Sequence, residues 1–167
     1  GGDVRSPWRG RGFAAALYLI LERGKTVGRK RLASRLWPQA AEELRSHRLR
    51  QTILQLKKVG FILSADRDTI QCAPHDHRSD VIEFAGNGAD AVAAHASLEF
   101  LPGYNPTFSD SFRDWVDAQR EQVHALVTGR LVTEINAART KGDWLTCDRV
   151  ARQCLTLAAF NEAAVLA

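Results

Sequence analysis

The sequence predicts a mainly α-helical protein in two parts, residues 1–76 and 77–167. Three observations carry this reading. Apolar residues recur at helical spacing through most of the chain. Two short β-prone runs, at 61–63 and 69–72, flank a polar turn. Charge is divided between the halves: residues 1–60 hold 14 Lys and Arg against 4 Asp and Glu, a balance of +10, whereas residues 61–167 hold 9 against 15, a balance of −6. A basic half joined to an acidic half implies two jobs, and the basic one suits a polyanion.

The first helix is expected from about Trp8 to Arg23, with Phe13, Leu17, Ile20 and Leu21 at helical spacing and Gly24 as its stop. Lys25-Thr26-Val27 reads as a brief extended stretch. A second helix, GRKRLASRLW, turns Leu32, Leu36 and Trp37 inward and is closed by Pro38. The third runs from about Glu42 to Val59. Leu49, Ile53 and Leu56 fall within about 60° of one another at 100° per residue and form its buried stripe.

The opposite arc of that helix carries His47, Arg48, Gln51, Gln55 and Lys58, with Thr52 at its edge and Arg50 and Lys57 on one flank. Side chains of these types donate to and accept from base edges in the major groove. No acidic residue follows Glu43 in the helix, unlike an ordinary solvated face, where Glu and Lys mix. The Arg29-Lys30-Arg31 cluster and Arg45 add cations for phosphate contact. Phe61-Ile62-Leu63 and Thr69-Ile70-Gln71-Cys72 are expected to pair as a hairpin around Ser64–Asp68, with Arg67 at its tip. Helix, short strand, helix, helix, hairpin is the order of a winged helix-turn-helix domain, whose third helix enters the major groove.

From Pro74 the character changes. A polar link, PHDHRSD, leads to Val81-Ile82-Glu83-Phe84, a short helix from about Ala89 to Leu98, and the loop FLPGYNPTFSDSF. A long helix is expected from Ser109 or Asp110 to about Thr140, with Phe112, Trp115, Val116, Val123, Leu126, Val127, Leu131 and Ile135 as its apolar positions. Gly142-Asp143 breaks it. A further helix runs from Trp144 to about Leu157, and Asn161 begins one more. Paired antiparallel helices with another beginning read as helical-repeat architecture, expected to continue past residue 167 or to lean on a partner.

Chemistry of other kinds finds little support. Three cysteines are too few and odd in number for a disulfide framework. Cys147 and Cys154 share a helical face with Val150 and Ala151, which favours core packing over a reactive thiol. Cys72, His75, His77 and Asp80 lack the spacing of the common zinc modules, so no metal and no cofactor is expected. Phosphate-binding and nucleophile-elbow motifs are absent, and the carboxylates of the second half are spread along solvated helix positions, so the chain is not expected to be an enzyme. No apolar run approaches the roughly 18 to 20 residues of a membrane span, and no leader is recognisable, so a cytoplasmic protein is expected. There is no methionine, so Gly1 is not expected to be a native start.

Residues 27–60, VGRKRLASRLWPQAAEELRSHRLRQTILQLKKVG, resemble the winged-helix half of bacterial transcriptional activators of the antibiotic-regulatory-protein (SARP) type. The carriers are V-x-R-x-x-L-A-x-x-L-W-P and L-R-Q-x-I-x-x-L-K-K. The second half resembles the bacterial transcriptional activator domain (BTAD) that follows it, through Asp80-Val81 with Phe84, FLPGY, DWVDAQREQV and GDW-x-x-C-x-x-V-A-R-Q-C-L. The resemblance implies a winged helix-turn-helix domain followed by a tetratricopeptide-like helical domain. It also implies a regulator that binds double-stranded DNA at promoters, as a homodimer, and contacts RNA polymerase. Carried onto this chain, the recognition-helix match falls on Arg48, Arg50, Gln51, Gln55, Lys57 and Lys58. Ser46, His47 and Gln55 make this helix less arginine-rich than is usual in the family, and Ala158-Ala159 stands where the repeat commonly ends in proline. The competing expectation is a protein-interaction module of a larger signalling protein, with a winged helix that does not bind DNA.

Overall fold

Gly10 opens α1 (Arg11–Leu21), the first element of a computed structural model that describes residues 10–72 and 100–165, with side-chain surroundings to residue 155. The elements that follow are β1 (Val27–Gly28), α2 (Arg29–Leu36), α3 (Glu42–Lys58), β2 (Ser64–Ala65), β3 (Thr69–Gln71), α4 (Asp110–Lys141) and α5 (Trp144–Val165). The protein is mainly α, with one small sheet among the described residues. It divides into two compact units, one of Gly1–Ser79 with Asn105–Trp115, the other of Asp80–Tyr104 with Val116–Ala167. The first unit thus takes in a segment well past the expected boundary at 76/77, including the opening turns of α4. The expected strand at 81–84, the helix at 89–98 and the His75, His77 and Asp80 cluster lie outside the described residues.

In the first unit α1, α2 and α3 enclose a core of Leu19, Leu32, Leu36, Leu49 and Ile70, all almost fully buried. The inward side of α1 is Ala14, Ala15, Ala16, Tyr18 and Leu19, while Phe13, Leu17, Ile20 and Leu21 are only half-buried. This corrects the expected stripe. Small side chains let α1 approach its neighbours closely, so the alanines, invisible to a search for large apolar residues, occupy the contact. Asn105–Trp115 packs here through aromatic rings: Tyr18 to Trp115 at 4.7 Å, Phe112 to Trp115 at 5.2 Å and Phe108 to Phe112 at 5.5 Å between centroids. Arg11 lies over Phe108 at 5.0 Å and donates from Nε to the Leu36 carbonyl at 2.9 Å.

Glu42 and Glu43 occupy the first turn of α3 and Lys57 and Lys58 its last, each complementing the helix dipole. The exit is decided at Gly60, whose φ of 85° places it in the left-handed region that glycine enters without a Cβ penalty. Gly60 N–H donates to the Lys57 carbonyl at 3.1 Å and Phe61 N–H to the Leu56 carbonyl at 2.9 Å, with both Phe61 and Leu56 buried. This is a Schellman stop with its apolar contact. Phe61-Ile62-Leu63 is therefore the helix exit and not a strand, and β2 begins only at Ser64. The three strands form an antiparallel sheet in the order β1-β3-β2, pairing Val27 with Ile70 and Ala65 with Ile70.

In the second unit α4 buries Val116, Val123, Val127, Leu131 and Ala138, and α5 buries Val150. Cys147 and Cys154 are half-buried, and Cys147 Sγ sits 3.7 Å from the Ile135 carbonyl. Burial pushes the Cys154 thiol up, away from thiolate character. Gly142, at φ 70°, ends α4 by the same device as Gly60: its N–H donates to Arg139 O at 3.1 Å and Asp143 N–H to Ala138 O at 3.0 Å. Contrary to the expected break before Asn161, α5 continues to Val165. The stretch contains no glycine or proline, so nothing forces the backbone out of the helix.

Candidate nucleic-acid interface

α3 presents two polar surfaces, of which the sequence pattern singled out one. The outer arc carries His47, Arg48, Gln51, Gln55 and Lys58, all exposed. The second surface is a groove of about 670 Å³ between α3, the start of α2 and the hairpin turn. Ser46, Arg50, Leu54 and Lys57 form its α3 wall, at helical spacing, and Arg67 lines the opposite side. Leu54 is 47% exposed although apolar, with Arg50 and Lys57 beside it on the same wall. Leu54 escapes the sequence reading, which assigns the exposed arc by polarity, and Ser46 figures there only as a departure from the family's arginine-rich helix. The available signal was Leu54's position one residue past Ile53, about 100° off the buried stripe.

The hairpin turn that presents Arg67 is built by Asp66. Its Oδ1 accepts from the backbone N–H of Asp68 at 2.9 Å and of Thr69 at 2.8 Å, and its Oδ2 accepts from the Thr69 hydroxyl at 2.7 Å. The Thr69 hydroxyl and the backbone donors hold the Asp66 carboxyl below the ordinary carboxylate range. Asp66 N–H closes the turn on the Thr69 carbonyl at 3.1 Å. Arg29 then ties the turn to α2: its Nη1 donates to the Asp66 carbonyl at 3.1 Å and its N–H to the Asp68 carbonyl at 2.8 Å. The tip is thus fixed to α2 at two backbone carbonyls, those of Asp66 and Asp68, and Arg67 extends from this turn.

Several of the expected contacts have other occupations. Thr52 is a correction: it is 9% exposed and its hydroxyl donates to the Arg48 carbonyl at 3.0 Å, so it faces the core and satisfies itself within the helix. Arg45 is half-buried, with Nη2 donating to the Pro38 carbonyl at 2.6 Å, which turns it toward the α2–α3 connection. Lys30 pairs with Glu42 at 2.8 Å, and that carboxylate raises the Lys30 pKa while Lys30 lowers that of Glu42. The pair is fully solvated and contributes little to stability. Arg31 is exposed and lies in a separate cleft with Arg35 and Arg45. Arg29 serves the hairpin, as above. The cations left with exposed heads on α3 and the tip are Arg48, Arg50, Lys57, Lys58 and Arg67, joined by His47.

Among the described residues no group of three or more His, Cys, Asp or Glu side chains is placed to hold a metal ion, and no helix is long and apolar enough to cross a membrane. Comparison with protein-family models, with curated proteins and with solved structures gave no match.

Proposed function

We propose that this protein is a sequence-specific DNA-binding transcriptional regulator whose first unit acts as a winged helix. The observation that carries this reading is the exposed side of α3, acid-free from Leu44 to Lys58, facing a groove whose far wall ends in the braced Arg67. In the proposed complex α3 lies in the major groove of double-stranded DNA. Arg48, Gln51 and Gln55 read base edges, each good bidentate pair contributing about 1–3 kcal/mol of discrimination. Arg50, Lys57 and Lys58 contact phosphates, and Arg67 touches the backbone or minor groove. Leu54, between Arg50 and Lys57, offers an apolar contact for a thymine methyl group.

The second unit is proposed as the contact element, for a second copy of the chain on DNA or for RNA polymerase. Trp144 at 69% and Leu145 at 85% exposure, with Leu155 further along α5, support a protein-binding role there. The resemblance to SARP-type activators supports the same division of labour.

Selection of bound fragments from genomic DNA by the purified chain tests the reading, followed by titration of the enriched site against salt. Binding should fall steeply between about 50 and 200 mM salt. Lys57→Ala should weaken all duplexes alike and reduce the salt slope by about 1, whereas Arg48→Ala should relax the choice at one base pair. Enrichment of no sequence, or indifference to both substitutions, sinks the proposal in favour of a protein-interaction module.

A further inference from the structure

On the first unit a second cleft, of about 360 Å³, lies away from the α3–hairpin groove. It is lined by Arg31, Ser34 and Arg35 of α2, Pro38 of the α2–α3 connection, Arg45 of α3 and Ser111 in the first turn of α4. Three arginines and two serines line it, and among the described residues no carboxylate does. Arginine stays protonated throughout the physiological range, so the cleft carries three fixed positive charges. Such a grouping of cations favours an anion within it.

A second observation points the same way. Arg45 spends Nη2 on the Pro38 carbonyl at 2.6 Å, while its Nε is buried and has no hydrogen-bond partner among the described residues. A buried donor without an acceptor is unfavourable, and the more so when charged. The remaining groups are held in place. Arg35 stacks over the Tyr18 ring at 5.4 Å, and the Ser34 hydroxyl rests on the Arg31 carbonyl at 3.0 Å. Ser111 exchanges a hydrogen bond with Ser109 at 3.2 Å, and the N-terminal end of the 32-residue α4 adds its positive dipole. Asp110, the nearest acid on α4, is engaged by Arg113 at 2.9 Å.

We infer that this cleft is an oxyanion site that takes one tetrahedral phosphate or sulfate group, either as a free ion or as part of a larger molecule. Planar guanidinium forks match tetrahedral oxyanions two donors at a time. The site is independent of the groove at α3 and does not require that the protein bind DNA.

Isothermal titration of the full chain with sodium phosphate, at ionic strength held constant with chloride, tests the assignment. Wild type should show saturable binding. Arg31→Ala, at an exposed residue that supports no described packing, should weaken it about tenfold. Lys57→Ala, in the other groove, should leave it unchanged. Absence of saturable phosphate binding in wild type, or equal binding in Arg31→Ala, overturns the assignment. A loss in Lys57→Ala equal to that in Arg31→Ala overturns it too, because the ion would then be at α3. Repeating the titration with duplex DNA present separates the sources: blocked phosphate binding identifies a backbone phosphate as the occupant, and unblocked binding a free ion, and both uphold the site. Phosphate binding by a chain that takes up no duplex would sink the regulator reading and leave this one standing.

Discussion

Asp66 in the first unit and Asp143 in the second make the same local structure and lead to opposite results. Each accepts from the backbone N–H three residues on, Thr69 at 2.8 Å and Thr146 at 3.1 Å, and from that threonine's hydroxyl, at 2.7 Å in both cases. Each follows a helix ended by a left-handed glycine, Gly60 or Gly142, with the same pair of closing hydrogen bonds. After Gly142 the aspartate comes at once, so it becomes the N-cap of α5 and the chain returns as a helix. After Gly60 comes Phe61-Ile62-Leu63, alternately buried and exposed, which carries the chain into the sheet before the aspartate is reached. There the same bonds close a hairpin turn and Ile70 pairs with Val27 and Ala65. The lesson is that a capping side chain organises whatever backbone its neighbours have already chosen.

The two units also brace their loops differently. In the first, Arg29 makes one side-chain bond to the hairpin turn and remains half-exposed. In the second, Arg120 donates to the carbonyls of Phe100 at 3.3 Å, Leu101 at 3.0 Å and Tyr104 at 2.7 Å, and to Asp117 at 2.7 Å. Leu101 has φ 54°, a backbone state that a non-glycine residue enters only when its surroundings hold it. One loop is presented outward on a light brace, and the other is locked down.

The largest effect is expected at Phe112. If Asn105–Trp115 truly belongs to the first unit, Phe112→Ala should cost that unit about 3–5 kcal/mol, read by urea unfolding with hydrogen exchange to locate the loss. Protection lost in the second unit alone would refute the assignment. Next comes Arg120→Ala, which strips three carbonyls of a charged donor and should cost about 1.5–3 kcal/mol, with fast exchange at Tyr104. Arg120→Lys should not restore it, because an ammonium cannot span the same acceptors. DNA affinity should be untouched by either Arg120 change under the proposed division of labour.

A smaller effect is expected at Leu54. Replacing one contacted thymine by uracil removes a single methyl, about 0.8 kcal/mol of burial or roughly fourfold in Kd. Wild type should feel that loss and Leu54→Ala should not, while thermal stability stays unchanged. A response of equal size in both proteins would remove Leu54 from the contact. The smallest effect is acid titration of the two aspartates. Hydrogen bonds to Thr69 and Thr146 lower the folded pKa of Asp66 and Asp143. Their contribution is therefore complete above the unfolded value of about 3.9 and fades as pH falls through the lower folded value. The Thr69 and Thr146 amide resonances should follow that low titration, and Asp66→Asn should abolish it in the first unit only. Titration of the Thr69 amide at an ordinary aspartate pKa would contradict the bond pattern.

Much of this was legible without coordinates. The buried stripe of Leu49, Ile53 and Leu56, the start of α2 after Val27, and the stops at Pro38 and Gly142 follow from periodicity and local backbone preference, which act over a few residues, whereas α1 ends at Leu21, three residues before the expected stop at Gly24. So does the mainly helical character. Thr52 misled because a hydroxyl looks polar in sequence, whereas its bond to the Arg48 carbonyl lets it be buried. Phe61-Ile62-Leu63 misled because a β-prone run gains its strand only if a neighbour pairs with it, and Gly60 directs it first along a helix exit. Tertiary structure alone decided which cations remain available. Arg29, Lys30 and Arg45 read in sequence as equivalent free charges, but a carbonyl at Asp66, a carboxylate at Glu42 and a carbonyl at Pro38 come within reach only once distant segments meet. The identity of a charge is written residue by residue; its partner is set by folding.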